Sequence, residues 1–198
     1  MTDGSNRKVI GICGYKGHGK STVARILEQK FGYKELTFAE SLKNSISDTF
    51  HWDRKRLDST EPEDRIWKET VDPWWSKKLN KPLMSPRWTL QNVGTDVMRN
   101  LFSPDVWVAS LEKKIIDLPE SVQCIAISDC RLNNEKEMIE SMNGIIIRLS
   151  RSSIPMTDCH ITEKEFLSFQ GPNVIDLDND GTIEELEFKL EKIVNLFV

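Results

Sequence analysis

The chain has 198 residues, 38% hydrophobic and 29% charged, and a formal net charge of −4. That length supports one well-buried core and is short for two. No apolar run approaches a membrane span, the polar start MTDGSNRK lacks the apolar segment of a signal peptide, and the mild acidity excludes bulk attraction to nucleic acid.

The first element is an apolar run, Val9–Cys13, which reads as a buried strand. Gly14 to Ser21 then fits the spacing Gly, four residues, Gly-Lys-Ser, and a helical pattern over Thr22–Phe31 places Val23, Ile26 and Leu27 on one stripe. Strand, glycine loop and helix are the context in which this spacing marks a phosphate-binding loop. Converging backbone N–H groups at a helix start hold phosphate oxygens, and Gly14, Gly17 and Gly19 allow the backbone this requires. Lys20 is placed to reach β- and γ-phosphates and the Ser21 hydroxyl to ligate Mg²⁺. The expected triphosphate site is Gly14, Gly17, His18, Gly19, Lys20, Ser21 and Thr22, with the His18 side chain turned outward and idle.

A second strand, Leu36–Phe38, leads to a helix over Ser41–Phe50. Residues 51–86 break the alternation and hold four of the six tryptophans, Trp52, Trp67, Trp74 and Trp75. We read this as an inserted segment whose aromatics fill a satellite core, stack on a base, or form a subunit contact. Two Ser-Pro pairs, at Ser85 and Ser103, signal helix starts. Gly94 falls inside the first of those helices, where close approach of a ligand and tight helix packing are equal explanations. Trp107, on the second, is a candidate for base stacking or for the core.

A third strand, Gln123–Ser128, runs into SDCR, which lies where ligands bind at the carboxyl edge of open α/β sheets. Asp129 there can orient Mg²⁺ through water or contact a sugar, and Arg131 offers a planar fork to phosphate. An Asp–Arg pair capping the next helix is the structural alternative. Glu135, one turn on, is placed to position Arg131 or touch the acceptor. The helix over Leu132–Gly144 ends at Gly, and strand four, Ile145–Leu149, opens a polar stretch with Arg148, Arg151 and His160. After strand five, Val174–Leu177, DLDNDGTIEELE (176–187) matches a calcium-loop spacing throughout. Gly171-Pro172 and the strand remove the entering helix such a loop needs, so the letters read as strand, acidic turn and a Thr182–Glu185 capping box for a last helix over Ile183–Leu196.

Past the glycine loop, FAESLK (38–43), RWTLQNVGTDVMRNLF (87–102) with the following VWV, SDCRLNNE (128–135), DCHITE (158–163) and NDGTIEEL (179–186) together resemble the bacteriophage deoxynucleoside monophosphate kinases. The likeness covers most of the chain and is weakest over Trp52–Ser85, which is shorter here. It implies an α/β P-loop fold with three layers, a five-stranded parallel sheet and a mobile lid, at residues 150–163, within one kinase domain spanning 1–198. It also implies transfer of the γ-phosphate of ATP to a deoxynucleoside 5′-monophosphate, giving the diphosphate and ADP, as a step of deoxynucleotide biosynthesis for phage DNA replication. Lys16, Lys43, Arg87 and Arg131 would face the acceptor, with Gly94, Thr95, Trp107, Asp129 and Glu135 contributing. Arg151 would be the lid arginine, and His160 a loop organiser.

An acceptor phosphate is already ionised near neutral pH, so such chemistry needs converging cations and alignment more than a base. Two other readings fit the loop: a kinase acting on a hydroxyl of a modified pyrimidine in DNA, where Asp129 becomes the base, and a nucleotide-dependent switch. The first calls for a basic DNA-binding face, which the net charge disfavours. Four cysteines without a C-x-x-C pair read as reduced, small apolar residues. The expected setting is cytoplasmic (host cytoplasm for a phage protein), with no membrane or nucleic-acid partner, and a homodimer through the Trp-rich segment is conceivable.

Overall fold

Five short strands, four of them rich in Val, Ile and Leu, pair into one parallel sheet in the order β2-β3-β1-β4-β5. The strands are β1 (Lys8–Gly14), β2 (Lys34–Leu36), β3 (Cys124–Ile127), β4 (Ile145–Ser150) and β5 (Val174–Asp178). The computed structural model describes residues 7–154 and 165–196. β1 is central, with Ile10 opposite Ala126 on one side and Ile12 opposite Ile147 on the other. Each strand matches its expected run to within two residues. The inner strands β1, β3 and β4 are buried on both faces and read as near-continuous apolar runs, whereas β2 and β5 at the edges are partly exposed.

Alternate residues of β1 serve the two faces. Ile10 and Ile12 join Val23 and Leu27 of α1 (Lys20–Phe31) and Leu186, Leu190 and Ile193 of α9 (Ile183–Leu196) in one core. Gly11 faces the other way, where a β-carbon would lie 2.6 Å from Ile139 Cδ1 of α8 (Asn133–Ser141). α8 ends at Ser141 with Met142 as its C-cap, and a left-handed Asn143, φ 55°, follows just before the expected Gly144. Burial pushes the Cys13 thiol up to about 12, so it behaves as a small hydrophobe on this strand.

The chain divides into two compact units, residues 1–38 with 111–198 and residues 39–110. The second consists of α2 (Glu40–Phe50), α3 (Arg54–Asp58), α4 (Pro62–Glu69), α5 (Pro73–Lys78), α6 (Pro86–Gln91), a wide π-type turn over Asn92–Phe102, and the first half of α7 (Val106–Ile116). Its core is Leu42, Ile46, Trp52, Leu57, Met84 and Trp107, with Phe50, Trp67, Trp75 and Trp88 packed around them. The indoles find partners: Trp52 Nε1 donates to Asp72 Oδ2 (3.0 Å) and Trp75 Nε1 to the Phe50 carbonyl (3.1 Å). The inserted segment is thus three short helices, α3 and α5 capped by Asp53 and Asp72, on an aromatic satellite core, one of the alternatives read from its tryptophans, with Trp74 left exposed. Asp72 caps α5 through the Trp74 and Trp75 N–H groups, and Ser85 caps α6 through Trp88 N–H.

Two helix expectations are corrected. The second Ser-Pro does not open α7: Ser103 makes a turn, accepting Asp105 N–H at 3.3 Å, and helical bonding begins with Ala109 N–H on the Asp105 carbonyl. The helix expected through Phe102 widens from Asn92, because Trp107 Nε1 donates to the Gly94 carbonyl at 2.9 Å and enters the helical ladder. Gly94 itself is buried, and a β-carbon there would lie 2.5 Å from Leu42 Cδ2. Packing, rather than a ligand's approach, explains this glycine. Gly94→Ala should cost about 1–2 kcal/mol despite the better helix propensity of Ala. Thermal unfolding checks this: the midpoint should fall by a few degrees, and Leu42→Val in the same chain should recover most of it.

Candidate nucleotide site

The phosphate loop leaves the carboxyl end of β1. Gly14, Gly17 and Gly19 take φ values of 144°, 90° and 97°, a left-handed range that a side chain would strain. Gly19 is the N-cap of α1, so the loop delivers its last peptide to a helix start and to the positive end of the helix dipole. Lys20 Nζ donates to the carbonyls of Gly14 (2.6 Å) and Tyr15 (3.0 Å), which holds the ammonium on the loop. Ser21 and Lys16 are exposed, and Thr22 is half-buried in the first turn.

His18 is not turned outward. It is 4% exposed, its Nδ1 hydrogen-bonds with the Leu149 carbonyl (3.1 Å), and its ring meets Tyr15 edge-on at 5.4 Å. Tyr15 in turn packs edge-on against Phe166, so side chains of the loop anchor it to β4 and to the short turn Glu165–Ser168. A polar residue between glycines gives no sequence signal of burial, which is why the expectation missed.

β3 runs beside β1, and SDCR follows it at the same edge of the sheet. Asp129 Oδ1 accepts the Phe38 N–H at 2.8 Å, tying the end of β3 to the chain after β2. Glu135 is 3% exposed, and its Oε2 accepts the N–H groups of Arg131 (2.8 Å) and Leu132 (3.2 Å). It thus fixes the backbone from which the exposed Arg131 projects. Arg151 is exposed after β4, whereas Arg148 is structural: its guanidinium is bidentate to Asp176 and also donates to the Leu167 and Phe169 carbonyls. His160 and lid residues 155–163 lie outside the described residues.

The acidic turn has the expected strand-and-cap form. Asp176 and Asp178 pair with Arg148 and Lys189, while Thr182 and Glu185 exchange backbone N–H bonds as a capping box.

In the second unit Lys43 pairs with Asp58 at 2.7 Å and Arg87 with Glu69 at 3.1 Å. Burial would raise the Asp58 carboxyl, but the Lys43 and Arg54 bonds and charges hold it below its ordinary range. Lys68, which the sequence did not single out, is 6% exposed, with Nζ on the Ser59 carbonyl at 2.5 Å. Burial first, then the charges of Arg87 and Lys43, lower its pKa. Thr95 is half-buried. Trp107 is 7% exposed within the aromatic core and bonded to Gly94, so its place is in packing and not on an open stacking face.

Among the described residues no three His, Cys, Asp or Glu side chains converge as a metal cage, and no helix is long and apolar enough to cross a membrane. What the nucleotide edge offers a cation is oxygen, from the Ser21 hydroxyl and the Asp129 carboxylate. That fits a hard divalent ion held largely by phosphates and water.

A parallel sheet of this order with a glycine loop after its central strand is a P-loop nucleotide-binding fold. The family model for deoxynucleotide monophosphate kinases matches residues 75–190. A protein of Acanthamoeba polyphaga mimivirus, provisionally named a deoxynucleotide monophosphate kinase, is 31% identical over 188 residues, 89% of this chain and 91% of that one. The deoxynucleotide monophosphate kinase of Escherichia phage RB69 is 36% identical over 111 residues, 56% of this chain and 45% of that one. Among solved structures, TT1252 from Thermus thermophilus overlays at TM-score 0.47 with 19% identity over 98% of this chain and 99% of that one, too loosely to add to these relatives. The chain belongs to the deoxynucleotide monophosphate kinase family: it is a nucleotide kinase, of a family with viral members, and its chemistry calls for a divalent metal ion.

Proposed function

We propose that the chain transfers the γ-phosphoryl group of ATP to a deoxynucleoside 5′-monophosphate, forming a dNDP and ADP, with Mg²⁺ as the metal. An oxygen of the acceptor phosphate forms the new bond to Pγ, and the bond from Pγ to the β,γ-bridging oxygen breaks. The acceptor is already an anion, so no side chain need remove a proton. The observation that carries this reading is the placement of a lysine-bearing phosphate loop and an exposed arginine on a fixed backbone at the ends of neighbouring strands, β1 and β3.

In this reading the loop amides and Lys20 hold the β- and γ-phosphates, and Ser21 supplies the protein oxygen for Mg²⁺, which would spread the negative charge of the triphosphate. Arg131 and Lys16 take acceptor phosphate; the family resemblance adds Lys43, Arg87 and Thr95 as further residues for the acceptor. Arg151 neutralises the group in transfer. Asp129, fixed through Phe38 N–H, contacts the acceptor sugar or metal-bound water.

The test is ATP turnover with Mg²⁺ against dNMPs, NMPs, nucleosides and modified-base DNA, with each product identified. Conversion of one or more dNMPs to dNDPs is expected. Turnover confined to nucleosides or DNA would replace the acceptor and make Asp129 the base, and ATP hydrolysis indifferent to every acceptor would favour a switch.

A further inference from the structure

The turn between β5 and α9, residues 179–182, was read from sequence only as an acidic turn, yet it reaches the phosphate loop. Asn179 Nδ2 donates to the His18 carbonyl at 3.0 Å. Its backbone N–H donates to the Ser150 carbonyl at 2.9 Å, and the next residue, Asp180, accepts the Ser152 N–H at 2.7 Å. One turn therefore holds both the loop and the segment leaving β4. We propose that Asn179 is a positioning residue of the phosphate loop, holding the His18–Gly19 peptide so that the Gly19 N–H faces the nucleotide phosphates.

The geometry follows from the peptide itself. Among the described residues no peptide bond is cis, so the His18 carbonyl and the Gly19 N–H point in opposite directions from one plane. A donor fixed on the carbonyl side turns the N–H the other way. Glycine on the far side of this bond, at φ 97°, makes the plane easy to rotate, and a flipped plane would aim a carbonyl oxygen at phosphate. The Asn179 amide blocks that flip. Gly19 also makes room for it: a β-carbon at Gly19 would lie 2.3 Å from Asn179 Nδ2. The inference rests on the loop binding a nucleoside triphosphate and is indifferent to the acceptor.

Calorimetric titration of the full chain with Mg²⁺ and a non-hydrolysable ATP analogue, alongside thermal unfolding, tests it. Asn179→Ala should weaken the analogue about tenfold, with the thermal midpoint near that of the parent. Asn179→Asp should be worse than Ala, because a carboxylate cannot donate to the carbonyl and brings negative charge beside the phosphates. A purely structural role in the turn predicts the reverse order, since Asp serves turns and helix starts as well as Asn. Analogue affinity unchanged in both variants, or Asp better tolerated than Ala, would overturn the proposal. The titration contains no acceptor, so a wrong acceptor assignment leaves its result standing.

Discussion

Lys20→Ala should lower kcat for phosphoryl transfer by roughly 10³-fold or more, while the protein stays folded. Lys20 is the first residue of α1, and its ammonium is held by the Gly14 and Tyr15 carbonyls. That contact fastens a positive charge to the loop that the glycine backbone shapes. As the γ-phosphoryl group moves, negative charge builds on the β,γ-bridging oxygen, and a fixed cation there is worth more in the transition state than in the ground state. Truncation removes that differential, so the loss falls on kcat more than on the KM for ATP. The fold loses hydrogen bonds from a partly exposed side chain, among them those to the Gly14 and Tyr15 carbonyls, and the thermal midpoint should move by only a few degrees. Lys20→Arg should restore little, because a planar guanidinium cannot occupy the place of a compact ammonium. Steady-state kinetics over varied ATP, with thermal unfolding as the control, decides it. A near-parental kcat for a folded Lys20→Ala chain would remove the loop from the chemistry.

The loop and the sheet were legible because each has a strong local signature. Five apolar runs named the strands, and glycine spacing between a strand and a helix named the phosphate loop. Strand order was not local information: nothing in the Ile145–Leu149 run says that it pairs with β1 and not with β3. The misses share that cause. His18 is buried because the Leu149 carbonyl, far along the chain, accepts its ring N–H. The Gly94 helix widens because an indole from the next helix takes a ladder carbonyl. Lys68 reads in sequence as one charge on a polar helix, and only folding buries it with its ammonium on the Ser59 carbonyl. Asn179 sits in a motif whose nearest meaning was a calcium loop, and its partner is in a loop 161 residues earlier. In the acidic turn, local context sufficed, since Gly171-Pro172 and the capping box both lie within a few residues of the motif.

Arg131 and Glu135 are joined through the backbone, an exposed cation on a segment held by a buried carboxylate. Glu135 Oε2 accepts the Arg131 and Leu132 N–H groups from a nearly inaccessible position, and burying that carboxylate is tolerable only because it is so bonded. The backbone at Arg131 is thus held independently of its side chain. Arg131→Ala should therefore leave the midpoint and the affinity for an ATP analogue within about twofold, while kcat/KM for the dNMP falls roughly 10²- to 10³-fold. Arg131→Lys should fall between, keeping a point charge but losing the two-pronged grip on phosphate. Glu135→Ala should combine a similar catalytic loss with a lower midpoint, because two backbone N–H groups lose their acceptor at about 1–3 kcal/mol each where buried. Measured together, the three variants separate an arginine that binds acceptor from one that supports the fold. If Arg131→Ala instead weakens ATP and leaves the dNMP KM untouched, Arg131 belongs to the donor. The acceptor cations would then have to be sought in Lys16, Lys43 and Arg87.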